Sequence, residues 1–467
     1  MKKSIITDTD FYKNVHWKAL KPGVTGMEEY GEPRKGARYP SLLWFGLSMI
    51  IQDHFLQVPT MADIQKAEDR IIRRGGNFKM FNREVWEKVH KLGYLPIRIK
   101  AAPEGSLIPV NNAFYKFEAT ESWFAGTLGV LEDTMLHTWY PTEIASRAFY
   151  IMQNIKPAFI TSSDVMKEIL PIAVNDFAYR GSTCHEAAAR GGAGFMSVFM
   201  GSDNQAAADA IEDYYDYLDR LKSVWATEHS VALSFGKGDE LGYLKHQLLS
   251  SDPNQIVANV IDAYDQDNYI REIACHPEIV EIIKNRPGRV VFRPDTGDAL
   301  TNMVKYSDIL STTYGFGINS KGYKVLKENV GLIQGDGMDE YTIPQLYNNY
   351  IKTHWAADNI ITGSGGGLLQ VDVSRDNQRW AIKPCHMIID GVDTPVQKTP
   401  KSDPSKNSKL GHVKLSPSMH SYTTYESGKM SKETYEGYVD AFETVLENGQ
   451  FKRTNFADIL RRVEANI

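Results

Sequence analysis

The stretch Asn359-Ile360-Ile361-Thr362-Gly363-Ser364-Gly365-Gly366-Gly367-Leu368-Leu369-Gln370 runs a short apolar strand straight into a glycine cluster. Glycine has no Cβ and tolerates positive φ, so such a backbone folds tightly and brings its N–H groups against a ligand. A concavity of that kind suits a phosphate. The stretch is not a Walker loop, because no Gly-Lys-Ser/Thr follows. It is not G-x-G-x-x-G, because Leu368 stands where the last glycine belongs. Taken alone, it reads equally well as a plain flexible loop.

Two upstream segments share its build. Arg289-Val290-Val291-Phe292 leads into Arg293-Pro294-Asp295-Thr296-Gly297-Asp298, and Val330-Gly331-Leu332-Ile333 leads into Gln334-Gly335-Asp336-Gly337-Met338-Asp339. Each is a buried-type strand followed by a polar glycine turn, with helix-forming stretches between. In parallel α/β folds, and in β/α barrels above all, the strand's carboxyl end is where ligands bind.

Further units stand upstream. Pro171–Asn175 ends at Asp176-Phe177-Ala178-Tyr179-Arg180-Gly181, with a helix over 184–190. Phe195–Phe199 reads as a strand ending at Gly201-Ser202-Asp203, with a helix over 204–218. Val224–Thr227 ends at Glu228-His229, and Ile256–Ile261 ends at Asp262. A lone Asp after a strand is ordinarily a helix cap, a lone His ordinarily structural, and an Arg beside an Asp often only an ion pair. Seven polar strand ends in register are different, because one barrel mouth gathers them into a single site. Carboxylates there suit Mg²⁺ and hydroxyl groups, and arginines suit phosphates.

The series ends near Lys383, where Pro384 interrupts it. This places a β/α barrel over 151–383 and an α+β domain over 1–150 with 384–467. In that second domain the apolar spacing reads as helix over 41–55, 60–74 and 123–149, the last broken at Pro141. Asp10 reads as the cap of a first helix. Segments 95–101, 107–110 and 113–117 read as an antiparallel sheet, and 435–446 and 456–467 as amphipathic helix. Lys398–Lys409 reads as a solvated loop, or as one that steers a polyphosphate.

The 467 residues, 42% of them hydrophobic, suffice for two or three domains. A net charge of −6 argues against a general nucleic-acid binder. The three cysteines are far apart and form neither a metal pair nor a disulfide framework. No signal core opens the chain, and the longest apolar run, Leu42–Ile51, is about half a membrane span. These features lead us to expect a soluble, cytoplasmic protein.

Together the motifs Asp10-Phe11-Tyr12-Lys13, Asp176–Gly181, Glu228-His229-Ser230, Arg293–Gly297, Gln334–Gly337 and Gly363–Gln370 resemble the nicotinamide phosphoribosyltransferase family of the type II phosphoribosyltransferase group. The resemblance spans nearly the whole chain. It implies an irregular β/α barrel and transfer of phosphoribose from 5-phosphoribosyl 1-pyrophosphate to nicotinamide. It also implies Mg²⁺, and ATP as a coupled substrate that phosphorylates His229. The site would be shared across a homodimer.

By the same resemblance, Phe177 stacks on one face of the pyridine and Tyr12 of a second subunit on the other. Asp203 accepts from the carboxamide. Arg180, His229 and Arg293 surround ring and phosphates. Asp295 holds the ribose hydroxyls, and Asp262 lies near metal and pyrophosphate. Gly335, Asp336, Gly365 and Gly366 line the ribose 5′-phosphate pocket. Asp10, Lys13, Arg34, Arg375 and Lys398 complete the substrate-binding set, the last four from the second subunit. The family's nicotinate-specific counterpart is the alternative, and Asp203 is the residue that separates the two. Asn175, where the family often has histidine, and the longer Val371–Ser374 link are departures.

Overall fold

The computed structural model describes residues 4–77, 79–327, 329–419 and 421–467. It divides into two compact units: 1–146 with Ile211–Tyr217 and Val373–Asn466, and 147–210 with Leu218–Asp372 and Ile467.

The second unit carries seven short parallel strands: β1 (Val174–Asp176), β2 (Gly201–Ser202), β3 (Trp225–Ala226), β4 (Val257–Val260), β5 (Val290–Arg293), β6 (Val330–Gln334) and β7 (Ile360–Ser364). Their order in the sheet is β2-β1-β7-β6-β5-β4-β3. The two edge strands approach each other through a parallel bridge between Gly201 and Lys222, so the strands run round an irregular barrel in chain order. Strands β4 to β7 are near-continuous apolar runs, as parallel strands covered on both faces require. Side chains alternate across each strand. Ala258, Val291 and Ile333 pack together with Phe177, Ile256 and Ile361 in one apolar cluster. Two residues further along, alternation puts Arg293, Gly335 and Gly363 on that same face, at the carboxyl end.

Strand β2 corrects one expectation. Phe195 and Met196 end the helix His185–Met196 instead of starting a strand. The Ala- and Gly-rich sequence before them extends the helix, leaving two residues to pair with β1.

The first unit is built on a seven-stranded antiparallel sheet. Its order is Val392–Pro395, Trp380–Ile389, Val24–Pro33, Tyr115–Ala119, Ile97–Ala101, Glu443–Glu447 and Gln450–Phe451. The boundary expected at Lys383 is therefore corrected to Asp372. Trp380–Ile389 pairs with Val24–Pro33, and Pro384 stands beside a register shift between Glu28 and Glu29, where proline is tolerated in a strand.

Other expectations change for similar reasons. Ser41–Leu43 is a strand paired with Leu107–Pro109, not helix. Glu443–Glu447 is a strand, not the end of a helix. Pro141 lies in the first turn of the helix Trp139–Ser162 and does not break it. Asp10 occupies a cap position without a side-chain capping bond. The helix Met61–Arg73 is as read, with a Thr60–Asp63 capping box and Ile64, Ala67 and Ile71 buried. The terminal helix Phe456–Glu464 buries Phe456, Ile459 and Val463, with Phe456 against Phe45 and Tyr215. Among the described residues no helix is long and apolar enough to cross a membrane.

Candidate active site

Where β1 ends, the chain turns sharply. The Phe177 N–H donates to Ser364 O at 2.9 Å, and Ala178 N–H to Asp176 Oδ1 at 2.8 Å. The ring of Phe177 then lies on the bare backbone of Gly363. After β2, Asp203 N–H donates to Asp176 O at 3.0 Å, and Ser223 Oγ donates to Asp203 Oδ1. Phe177 and Asp203 thus stand on adjacent strand ends.

On β5, Arg293 Nε lies 3.1 Å from Asp295 Oδ2. A Cβ on Gly335 would fall 2.8 Å from Asp295 Oδ1, so glycine there makes room for the carboxylate. Burial, with the like charges of Asp262 and Asp336, holds the Asp295 carboxyl above its usual range against the pull of Arg293 and His229. Asp295 Oδ1 is buried and has no hydrogen-bond partner in the protein.

Glu228 occupies the position before the helix His229–Phe235, without a side-chain capping bond, so His229 is the first residue of that helix and not part of a strand. Its Nε2 lies 2.9 Å from Oδ1 of Asp262, a carboxylate only 5% exposed.

These strand ends line a cavity of about 590 Å³. Nine residues read from the sequence border it: Phe177, Arg180, Asp203, Arg293, Asp295, Gly335, Asp336, Gly365 and Gly366. Gly365 and Gly366 differ from Gly363. A Cβ on Gly366 would meet nothing within 4 Å, so the protein's own packing does not demand glycine there. The bare backbone is open to a ligand's close approach.

The remaining residues lie in the first unit. Lys13 is buried, its ammonium paired with Glu132 and near Asp133. Asp10 N–H donates to Asp133 at 2.7 Å. Tyr12 is 57% exposed. Arg34 Nε donates to Arg379 O at 3.2 Å. Arg375 pairs with Asp376 at 2.8 Å. The Lys398 main chain is pinned to Ser408 by two bonds, at 2.9 and 3.0 Å.

Arg147 escaped the sequence reading. It is 1% exposed, and its guanidinium donates to the carbonyls of Gly367, Leu368, Val371 and Asp372 at 2.8–3.1 Å. It fixes the far side of the glycine loop. An arginine within an apolar helical run was the available signal. Ser223 and Asn204, which brace Asp203 and Asp176, gave none.

Among the described residues no group of three or more His, Cys, Asp or Glu side chains is arranged to hold a metal ion alone. The unpartnered Asp295 oxygen, with Asp262 and Asp336 acting on the same carboxyl, does fit Mg²⁺ bound through few carboxylates and substrate phosphates.

Residues 172–446 match the Nicotinate phosphoribosyltransferase (NAPRTase) family, and residues 4–99 match the Nicotinamide phosphoribosyltransferase, N-terminal domain. A protein of Xanthomonas campestris pv. campestris (strain 8004) named nicotinamide phosphoribosyltransferase is 34% identical over 457 residues, 96% of each chain. One of the same name from Acinetobacter baylyi is 26% identical over 97% of this chain and 95% of its own. Two solved structures share the fold. One is nicotinate-nucleotide pyrophosphorylase from Pyrococcus furiosus, with TM-score 0.59, 15% identity, and 99% of this chain and 95% of that one covered. The other is human nicotinic acid phosphoribosyltransferase, with TM-score 0.57, 13% identity, and 98% and 93% covered.

Proposed function

The chain belongs to the nicotinate phosphoribosyltransferase family and, within it, to the nicotinamide phosphoribosyltransferases; on that premise we propose that it joins nicotinamide to 5-phosphoribosyl 1-pyrophosphate, giving nicotinamide mononucleotide and pyrophosphate in NAD salvage. The observation that carries the choice of base is Asp203. One of its oxygens is taken by Ser223, which leaves the other to accept from a carboxamide N–H. The carboxylate of nicotinate offers no such proton and repels Asp203.

In the reaction the pyridine nitrogen uses its lone pair to form the bond to ribose C1. The C1–O bond to pyrophosphate breaks, and pyrophosphate leaves with that electron pair. No proton leaves the ring, so the base needs positioning more than activation. Phe177 supplies a face for the ring. Asp295 suits the ribose hydroxyls, and the backbone at Gly335, Gly365 and Gly366 suits the 5′-phosphate. Arg293 and Arg180 offer cationic partners for ligand charge. Mg²⁺ arriving with the pyrophosphate would be held by Asp262, with Asp295 and Asp336 nearby, and would neutralise the leaving group.

ATP enters the proposal as a coupled substrate. Asp262 engages Nε2 of His229 and so leaves the Nδ1 lone pair to take the γ-phosphoryl group of ATP, the β,γ P–O bond breaking and ADP leaving. The proposal also includes a homodimer, in which the partner subunit's Tyr12 closes the second face of the ring and the partner subunit's Arg34, Arg375 and Lys398 approach the phosphates. The exposure of Tyr12 supports this, whereas Lys13 would have to leave Glu132 and Asp133 to take part.

The test is product analysis. Purified protein with nicotinamide, phosphoribosyl pyrophosphate and Mg²⁺ should give nicotinamide mononucleotide and pyrophosphate in equal amounts. Absence of any mononucleotide would overturn the proposal.

A further inference from the structure

Asp176 is the last residue of β1 and is fully buried. No cation pairs with it among the bonds that hold it. Its Oδ1 accepts from Ala178 N at 2.8 Å, in the turn that carries Phe177. Its Oδ2 accepts from Asn204 Nδ2 at 2.9 Å, beside Asp203. Its main-chain oxygen accepts from Asp203 N at 3.0 Å. One bond from Asp176 therefore fixes the turn that carries Phe177, and two reach across to the strand end that carries Asp203.

The surroundings are fitted to this arrangement. Asn204 is fully buried, donates also to Ala188 O at 3.0 Å, and has its own N–H on Ser202 Oγ at 3.0 Å. A Cβ on Gly192 would fall 2.5 Å from Asn204 Nδ2 and 2.9 Å from Asp176 Oδ2. The helix His185–Met196 thus carries glycine where the network comes closest.

The chemistry singles out a carboxylate. Both side-chain partners of Asp176 are donors, so the position needs two acceptors. An asparagine has one acceptor and one donor, and would set N–H against N–H on one side. A buried carboxylate without a cation is unfavourable, yet here it serves both loops at once.

We propose that Asp176 is a positioning residue that holds Phe177 and Asp203 at a fixed separation, and so sets the affinity for the pyridine base without touching it. This rests on the function proposed above. The phosphate side of the cavity stands on β6 and β7, and none of the three bonds made by Asp176 reaches those strands.

The test compares Asp176→Asn and Asn204→Leu with the wild type, using KM for each substrate and calorimetric titration with nicotinamide. Each variant should raise KM and Kd for nicotinamide about tenfold, equivalent to 1.4 kcal/mol, and leave KM for phosphoribosyl pyrophosphate within about twofold. Nicotinamide constants unchanged in both variants would overturn the inference, as would parallel rises in both KM values, since these mark a general packing role. Should Asp176→Asn fail to fold, Asn204→Leu decides alone: it removes the bonds to Asp176 Oδ2 and Ala188 O but keeps those of Asp176 to the Ala178 and Asp203 main chains. A wild type that binds nicotinamide without turnover would refute the proposed reaction but leave the titration to judge Asp176. A wild type that does not bind nicotinamide overturns both.

Discussion

A Cβ on Gly363 would fall 1.9 Å from Cε2 of Phe177, so the Phe177 ring rests directly on the backbone of β7. No rotamer of an added methyl group relieves that contact. In Gly363→Ala the ring moves away from the base slot. KM for nicotinamide should rise about tenfold or more, with about 1–3 kcal/mol lost in stability from overpacking. Steady-state kinetics with each substrate varied, together with a thermal melt, measure both. An unchanged nicotinamide KM would show that Phe177 does not contact the base.

Asp203 should decide between amide and acid. Asp203→Asn keeps the size and removes the charge. The ratio of kcat/KM for nicotinamide to that for nicotinate should fall by about tenfold or more, since a site built for a hydrogen bond discriminates strongly against ligands that lack it. Ser223→Ala should lower the ratio less, by freeing the carboxylate to rotate.

The pairing of His229 with Asp262 leads to a chemical expectation. With γ-labelled ATP the wild type should acquire an acid-labile, base-stable label, and His229→Ala should acquire none. Asp262→Asn should slow labelling, because the imidazole loses the carboxylate that orients it. Label of equal amount in His229→Ala would place the phosphoryl group elsewhere.

Arg147 binds four carbonyls around the glycine loop, and its Nη2 lies 3.4 Å from Glu340. Lysine keeps the charge but not the fork. Arg147→Lys should raise KM for phosphoribosyl pyrophosphate more than KM for nicotinamide. Arg147→Ala should in addition lose about 3 kcal/mol of stability, by stranding buried acceptors.

One pH dependence belongs to the first unit. Burial pushes the Glu28 carboxyl up, but the ammonium of Lys116 and the ring of His412 outweigh it and hold the group at about 2. The folded value is below the unfolded one, so the stabilisation is complete above the unfolded pKa and is lost as pH falls toward 2. From the shift it amounts to about 3 kcal/mol. Denaturant midpoints measured from neutral to acid pH should fall over that window, and Glu28→Gln should remove this part of the slope.

The barrel was legible because buried parallel strands are written as apolar runs. Val290–Phe292, Val330–Ile333 and Ile360-Ile361 each announce a polar turn. The grouping of nine candidate residues around one cavity was legible for the same reason, since those residues follow the ends of the strands. The failures arose where local pattern and tertiary context disagree. Phe195–Phe199 has a strand's composition, but the helix before it runs through Met196. Glu443–Glu447 contains helix-forming residues, but its place beside Ile97–Ala101 makes it a strand. Trp380–Ile389 was hidden by Pro384, which a register shift accommodates. The residues that brace the site were least legible. Arg147, Asn204 and Ser223 act through partners distant in sequence, and no spacing reveals such pairs.

The most direct measurement is a competition in one tube. Equal concentrations of nicotinamide and nicotinate are given limiting phosphoribosyl pyrophosphate and Mg²⁺, and the two mononucleotides are separated by chromatography. Nicotinamide mononucleotide should dominate by at least about tenfold, as Asp203 with one free oxygen requires. An excess of nicotinate mononucleotide would keep the barrel and its phosphate side but contradict the assignment of the base.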